Sequence, residues 1–296
     1  MSQLREIRQQ IASIGQTRQI TQAMQRIAFI KMRRAKERAL TLRPYSRHLN
    51  RIVARLMALE TDVRPALLAS RLPAHRIGMI VVTTDKGLCG SLNTRLLHMA
   101  VTQLDSWQRA GREVSVTAIG ARGLGVLRRA GARIVAQAVH VGEFGTGDAD
   151  ALMGAIAVPL HQFIDGEIDA LFVATNRFVN SLQHEPVLAR FLPFSPEMLE
   201  LPAPGSSVDY LYEPEPGPVI DAALMRYVET VIFRAIAENA ACEQSARMTA
   251  MKAATENASR MIDELTVKYN KRRQEAITNE LEEIIAGADA LRGEGD

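Results

Sequence analysis

The chain has 296 residues, 47% of them hydrophobic, and carries a net charge of +3, so it can bury a sizeable core within one or two domains. It contains no apolar run of the roughly 20 residues that a membrane-spanning helix requires, and the opening MSQLREIRQQ lacks the apolar segment of a secretory signal, which predicts a cytosolic protein. Its two cysteines, Cys89 and Cys242, are far apart and in no metal-ligand spacing, which predicts free thiols in a reducing compartment and argues against a disulfide framework.

Charge is uneven along the chain. Residues 1–60 hold 13 Lys and Arg against 3 Asp and Glu, whereas residues 219–296 hold 10 against 14, so the two ends are opposite in sign. The first predicted element is a helix from Gln3 to Ala58, because Leu4, Ile7, Ile11 and Ile14, and later Tyr45, Leu49, Ile52, Leu56 and Leu59, step by three and four residues. Between these sets an apolar stripe is kept only by the spacing Ile14, Thr17, Ile20, Met24, Ile27. Two successive three-residue steps there predict a local overwinding beside Gly15. Pro44 predicts a kink, since its ring removes one backbone bond and crowds the preceding turn.

Strands are expected at 77–84, 113–119, 132–137 and 168–175, with helices over 91–109, 121–130 and 149–165 between them. Such alternation argues for a mostly parallel sheet covered on both faces. PVLARFLP at 186–193 adds a candidate edge strand, and a Pro-rich linker over 193–218 leads to a last helix from Pro218 to Leu291. In that helix Met248, Met251, Thr255, Ala258, Ile262, Leu265 and Tyr269 follow a heptad, which Ile277, Leu281 and Ile284 continue with a shift. Two such stripes predict two long helices packed on each other, and the chain's path makes them antiparallel. The fold class is therefore α/β with a long antiparallel coiled coil: residues 1–60 and 218–291 form the coil, and residues 76–217 form the central domain with its linker.

Catalytic patterns are weak. GARGLG at 120–125 opens a helix after a strand, but its spacing is not that of a phosphate-binding fingerprint, so tight packing at the turn is the expectation. DKGLCGSLN at 85–93 offers an Asp and a thiol in a loop where α/β proteins place their sites, with nothing to pair with them. The six histidines never take a ligand spacing. No catalytic residue, metal site or cofactor is expected.

Five segments carry a family resemblance along nearly the whole chain and in the family's order. ITQAMQRIAFIKMRRAK, DKGLCGSLN, DYLYEP at 209–214, ARMTAMKAATENA and YNKRRQEAITNELEEIIAGA closely resemble signature segments of the gamma subunits of bacterial F-type ATP synthases. The resemblance implies a Rossmann-like central domain and a non-catalytic rotor shaft, which couples ion-driven turning of a membrane c-ring to ATP synthesis and hydrolysis in the beta subunits. It further implies a hexamer of alpha and beta subunits around the shaft, an epsilon subunit and the c-ring at its foot, and a peripheral position on the cytoplasmic face of the inner membrane. Carried over residue by residue, it assigns beta contacts to Met24, Arg247, Arg273, Gln274 and Thr278, and c-ring or epsilon contacts to Tyr210, Tyr212 and Glu213. Phe29 and Ile30 stand where the family usually has small residues, Gln22 where it has Lys, and Cys242 where Ser is common.

Two other classes compete. The basic first helix is an electrostatic footprint for nucleic acid or an acidic membrane surface, although it lacks interleaved aromatics. A nucleotide-dependent enzyme would need the central domain to bind a dinucleotide or ATP.

Overall fold

The computed structural model describes residues 2–58, 65–71, 73–140, 149–194, 213 and 215–293. Contacts divide the chain into two compact units, residues 28–247 and residues 1–27 with 248–296. The terminal helices α1 (Ser2–Ala58) and α5 (Pro216–Gly293) each contribute to both. These bounds lie within two residues of those read from periodicity, and α1 is continuous through Pro44.

The larger unit is built on β1 (Arg76–Val82), β2 (Glu113–Ile119), β3 (Arg133–Ala138), β4 (Ala170–Phe178) and β5 (His184–Leu192), in the order β3-β2-β1-β4-β5. The first four strands are parallel and β5 runs antiparallel to β4. Between them lie α2 (Leu92–Arg109), α3 (Ala121–Arg129) and α4 (Ala149–Ile164). β1 is buried from Ile77 to Val82, as a central parallel strand covered on both faces must be. Its Ile77, Met79 and Val81 pack with Leu96, Leu104 and Trp107 of α2 and Leu127 of α3. Ile80 and Val82 join Leu152, Ile156 and Phe163 of α4, and Leu224 and Val228 of α5, on the other face. Each such side chain contributes about 1.5–3 kcal/mol when fully buried.

β5 begins two residues before the expected edge strand. The reason is the turn: Asn180 Oδ1 accepts from the backbone N–H of Leu182 and Gln183, both at 2.9 Å, and closes a tight hairpin. Arg177 and Glu185 then face each other across the strands, 2.7 Å apart.

Asp169, just before β4, closes the start of the sheet. Its Oδ2 accepts from the backbone of His75 and Arg76 at 3.0 and 2.8 Å, and Oδ1 takes the Arg76 guanidinium at 2.8 Å. Burial pushes this carboxyl up, but the Arg76 side chain and the two N–H donors outweigh it and hold it below the usual range. A depressed carboxyl contributes stability above its unfolded pKa that is lost as pH falls through the folded value. Asp169→Asn is therefore expected to lower neutral-pH stability and flatten the acid limb of a stability–pH curve measured by denaturant titration.

In the smaller unit the helix segments meet along a heptad seam. Met251 and Ala258 are buried, and Met248, Thr255, Ile262, Leu265 and Tyr269 are half-buried, as the spacing predicts. On α1 the seam departs from expectation. Ile20 is 60% exposed and Ile27 53%, while Thr21 is buried and Gln25 half-buried. Ile7, Ile14 and Thr21 are spaced at seven residues, so the repeat passes Gly15 without overwinding. A polar residue holds the seam there because it has a partner: the hydroxyls of Thr21 and Thr255 are 2.8 Å apart.

Candidate partner-binding surfaces

α5 of the smaller unit carries Arg273, Gln274 and Thr278, all exposed and none hydrogen-bonded among the described residues. Arg273 offers a planar fork of donors, Gln274 both donor and acceptor, and Thr278 lies four residues beyond Gln274 on the same face. Beside them Ile277 is 46% exposed, Leu281 54%, Ile284 67% and Ile285 60%. The shifted continuation of the heptad is thus uncovered. Exposed apolar side chains clustered with free polar ones mark a contact surface more than a solvated helix end. Met24 of α1 is half-buried. Tyr210 and Tyr212 lie outside the described residues, and Glu213 is exposed.

Arg247 belongs to the larger unit, and the structure gives it partners in its own chain. Its Nη2 donates to Glu243 Oε1 at 2.7 Å and to the Gly87 carbonyl at 3.0 Å, with only 10% of the Arg247 side chain and 13% of the Glu243 side chain exposed. Burial pushes the Glu243 carboxyl up, and the adjacent guanidinium opposes this without overcoming it. The spacing of Glu and Arg at i and i+4 was a visible signal of the ion pair; its closure on Gly87, 160 residues away, was not.

The 85–93 loop that receives Arg247 is bonded on every side. Asp85 Oδ1 accepts from the backbone of Ala121 and His140, each at 2.9 Å. Asn93 Nδ2 donates to Thr84 Oγ1 at 2.7 Å and to Cys89 Sγ at 3.3 Å. Cys89, Leu92 and Cys242 form a small buried cluster with Phe178 and Ala246 against it. Burial pushes the Cys89 thiol up and that of Cys242 up to about 12, so neither supplies a thiolate nucleophile near neutrality. The loop works as a latch. Ser245 Oγ donates to the Ser181 carbonyl at 2.7 Å and Phe178 N–H to Glu238 at 3.0 Å, extending the attachment of α5 along the end of β4.

GARGLG also serves packing. Gly120 has φ +91, and a Cβ there would lie 2.5 Å from the Thr83 carbonyl oxygen; one on Gly123 would lie 2.6 Å from Thr83 Oγ1. That hydroxyl instead accepts the Gly123 N–H at 2.9 Å. A cavity of about 30 Å³ beside this turn, lined in part by Asp85, Asn239 and Glu243, has room for about one water and no nucleotide. No group of three or more potential metal ligands occurs among the described residues, and no helix among them is long and apolar enough to cross a membrane.

A protein-family profile described as ATP synthase matches residues 3–291. Among curated proteins, the ATP synthase gamma chain of Thiobacillus denitrificans is 44% identical over 97% of this chain and 99% of its own. That of Polynucleobacter asymbioticus is 46% identical over 98% and 100%. Solved structures resemble the chain in fold. The central stalk and c-ring of the Tetrahymena thermophila mitochondrial ATP synthase gives a TM-score of 0.58 at 20% identity, covering 79% of this chain and 99% of that one. An OSCP/F1/c-ring structure of the Euglena gracilis enzyme gives 0.65 at 18% identity, covering 100% and 97%.

Proposed function

Because the chain belongs to the ATP synthase gamma-chain family, it is a non-catalytic central-stalk subunit, and we propose that its paired terminal helices turn inside a sleeve of alpha and beta subunits. The observation that carries this reading is the uncovered tip of α5, where Ile277, Leu281, Ile284 and Ile285 need a protein cover and Arg273, Gln274 and Thr278 stand free to bond one. In this reading the three polar residues hold one beta subunit at a time, so an asymmetric shaft makes chemically identical catalytic sites unequal. ATP chemistry belongs to the partners. Arg247 is held within its own chain through Nη2, which leaves the other donors of its guanidinium for the contact with beta.

The sheet unit and DYLYEP are placed at the foot, toward the epsilon subunit and the c-ring, with the whole chain peripheral on the cytoplasmic face of a bacterial inner membrane. In the assembled complex, cysteine at position 210 is expected to crosslink to epsilon or to a c subunit; crosslinks confined to alpha or beta would invert the orientation.

Met24 is placed at the neck, where the shaft leaves the sleeve beside an acidic loop of beta. Met24→Lys adds a cation able to pair with that loop, strengthening a contact that must break during each turn. ATP hydrolysis is expected to continue while ATP-driven ion pumping in membrane vesicles falls. Unchanged coupling removes Met24 from the contact set.

A further inference from the structure

Within the unit of residues 28–247, a cavity of about 380 Å³ opens where α1, α5 and the end of β4 converge. Among the described residues its wall presents Lys36 and Arg47 of α1, Arg177 of β4 and Arg234 of α5, with one carboxylate, Glu238. Glu238 is anchored by the Phe178 N–H, and Arg177 by Glu185, whereas Lys36 and Arg47 have no hydrogen-bond or ion-pair partner among the described residues. Arg234 also has an interaction of its own, so it is Lys36 and Arg47 that bring unbalanced positive charge to the concavity, and an anion entering it would be attracted to them. Leu40, Phe178 and Ala241 supply the apolar part of the wall.

We propose that this cavity binds an oligophosphate, a di- or triphosphate group held by Lys36, Arg47, Arg177 and Arg234. Its volume falls within the roughly 300–1,000 Å³ of small-molecule sites, and a concave setting of several cations suits a compact polyanion better than an extended acidic polypeptide. The apolar wall accepts a nucleoside, so inorganic and nucleoside oligophosphates share the recognised chemistry. This ligand role is separate from turning inside the sleeve.

Calorimetric titration of the purified full chain with sodium tripolyphosphate, and in parallel with magnesium-free ATP, tests the site. One saturable site is expected, weakening as salt rises. Lys36→Gln with Arg47→Gln should weaken it roughly tenfold or more, since two charged donors are lost. Glu238→Gln should tighten binding, because the amide still accepts the Phe178 N–H while the opposing charge is gone. Arg109→Gln, which removes one positive charge at an exposed site on α2, should leave it unchanged. Tighter binding of ATP assigns a nucleoside source, and equal binding assigns the phosphate chain alone. The proposal is overturned by non-saturable binding of both probes, by an equal loss in Arg109→Gln, or by an Asp/Glu-rich peptide that binds and is not displaced by tripolyphosphate.

Discussion

Glu243→Ala is expected to destabilise the sheet unit by about 3–5 kcal/mol, because it leaves the Arg247 guanidinium buried without its carboxylate. The raised Glu243 carboxyl gives the sign of the accompanying pH effect. A carboxyl whose folded pKa lies above its unfolded one contributes stability that is complete below the unfolded value and is lost as pH rises through the folded value. The ion pair is therefore no net source of stability at neutral pH, yet breaking it from one side is costly. Glu243→Gln keeps an oxygen for Arg247 and should cost clearly less than Glu243→Ala. Its stability relative to the parent should also change across that pH window. Denaturant titration of both variants at acid and neutral pH checks this, with hydrogen exchange in the 85–93 loop as the local readout. Equal, small losses in both variants, with unchanged exchange, would show that the latch does not hold α5.

Arg273→Ala combined with Gln274→Ala is expected to lower steady-state ATP turnover and synthesis in the assembled complex. One charge-assisted bond to a partner is worth about 1.5–3 kcal/mol, so turnover should fall by roughly one to two orders of magnitude if the rate follows that bond. Neither side chain is bonded within its own chain among the described residues, so the stability of the free chain should barely change. That separation makes the test clean. ATP binding to isolated beta should be unaffected. Normal turnover in a fully assembled double mutant would end the assignment of these residues to the beta contact.

The sequence carried the elements well because their signals are local. Three- and four-residue spacing located both long helices, and the alternation of apolar runs with glycine turns located the parallel strands. The phase of the α1 seam was misread for a physical reason. Hydrophobicity draws the stripe through Ile20 and Ile27, but within a two-helix unit these side chains are left exposed, and Thr21 takes the inner position through a hydroxyl on the other helix. A pattern of apolar residues cannot separate burial against a partner helix from reserve for another protein. Arg247 poses the converse problem: the resemblance gives it a beta contact, while its bond to Gly87, in a strand-end loop remote in sequence, is one that no local pattern announces. Lys36 and Arg47 were legible as composition, but not as the wall of a cavity.

The uncovered tip of α5 has a consequence for manufacture. A chain released from the ribosome before its partners assemble displays Ile277, Leu281, Ile284 and Ile285 to water, each between 46% and 67% exposed. Such a surface recruits other apolar surfaces, including copies of itself, at a rate that grows with the concentration of orphaned chain. Overproduction relative to the other subunits therefore favours aggregation and degradation over an accumulating soluble pool, and balanced synthesis becomes a requirement written into a few side chains at one helix end.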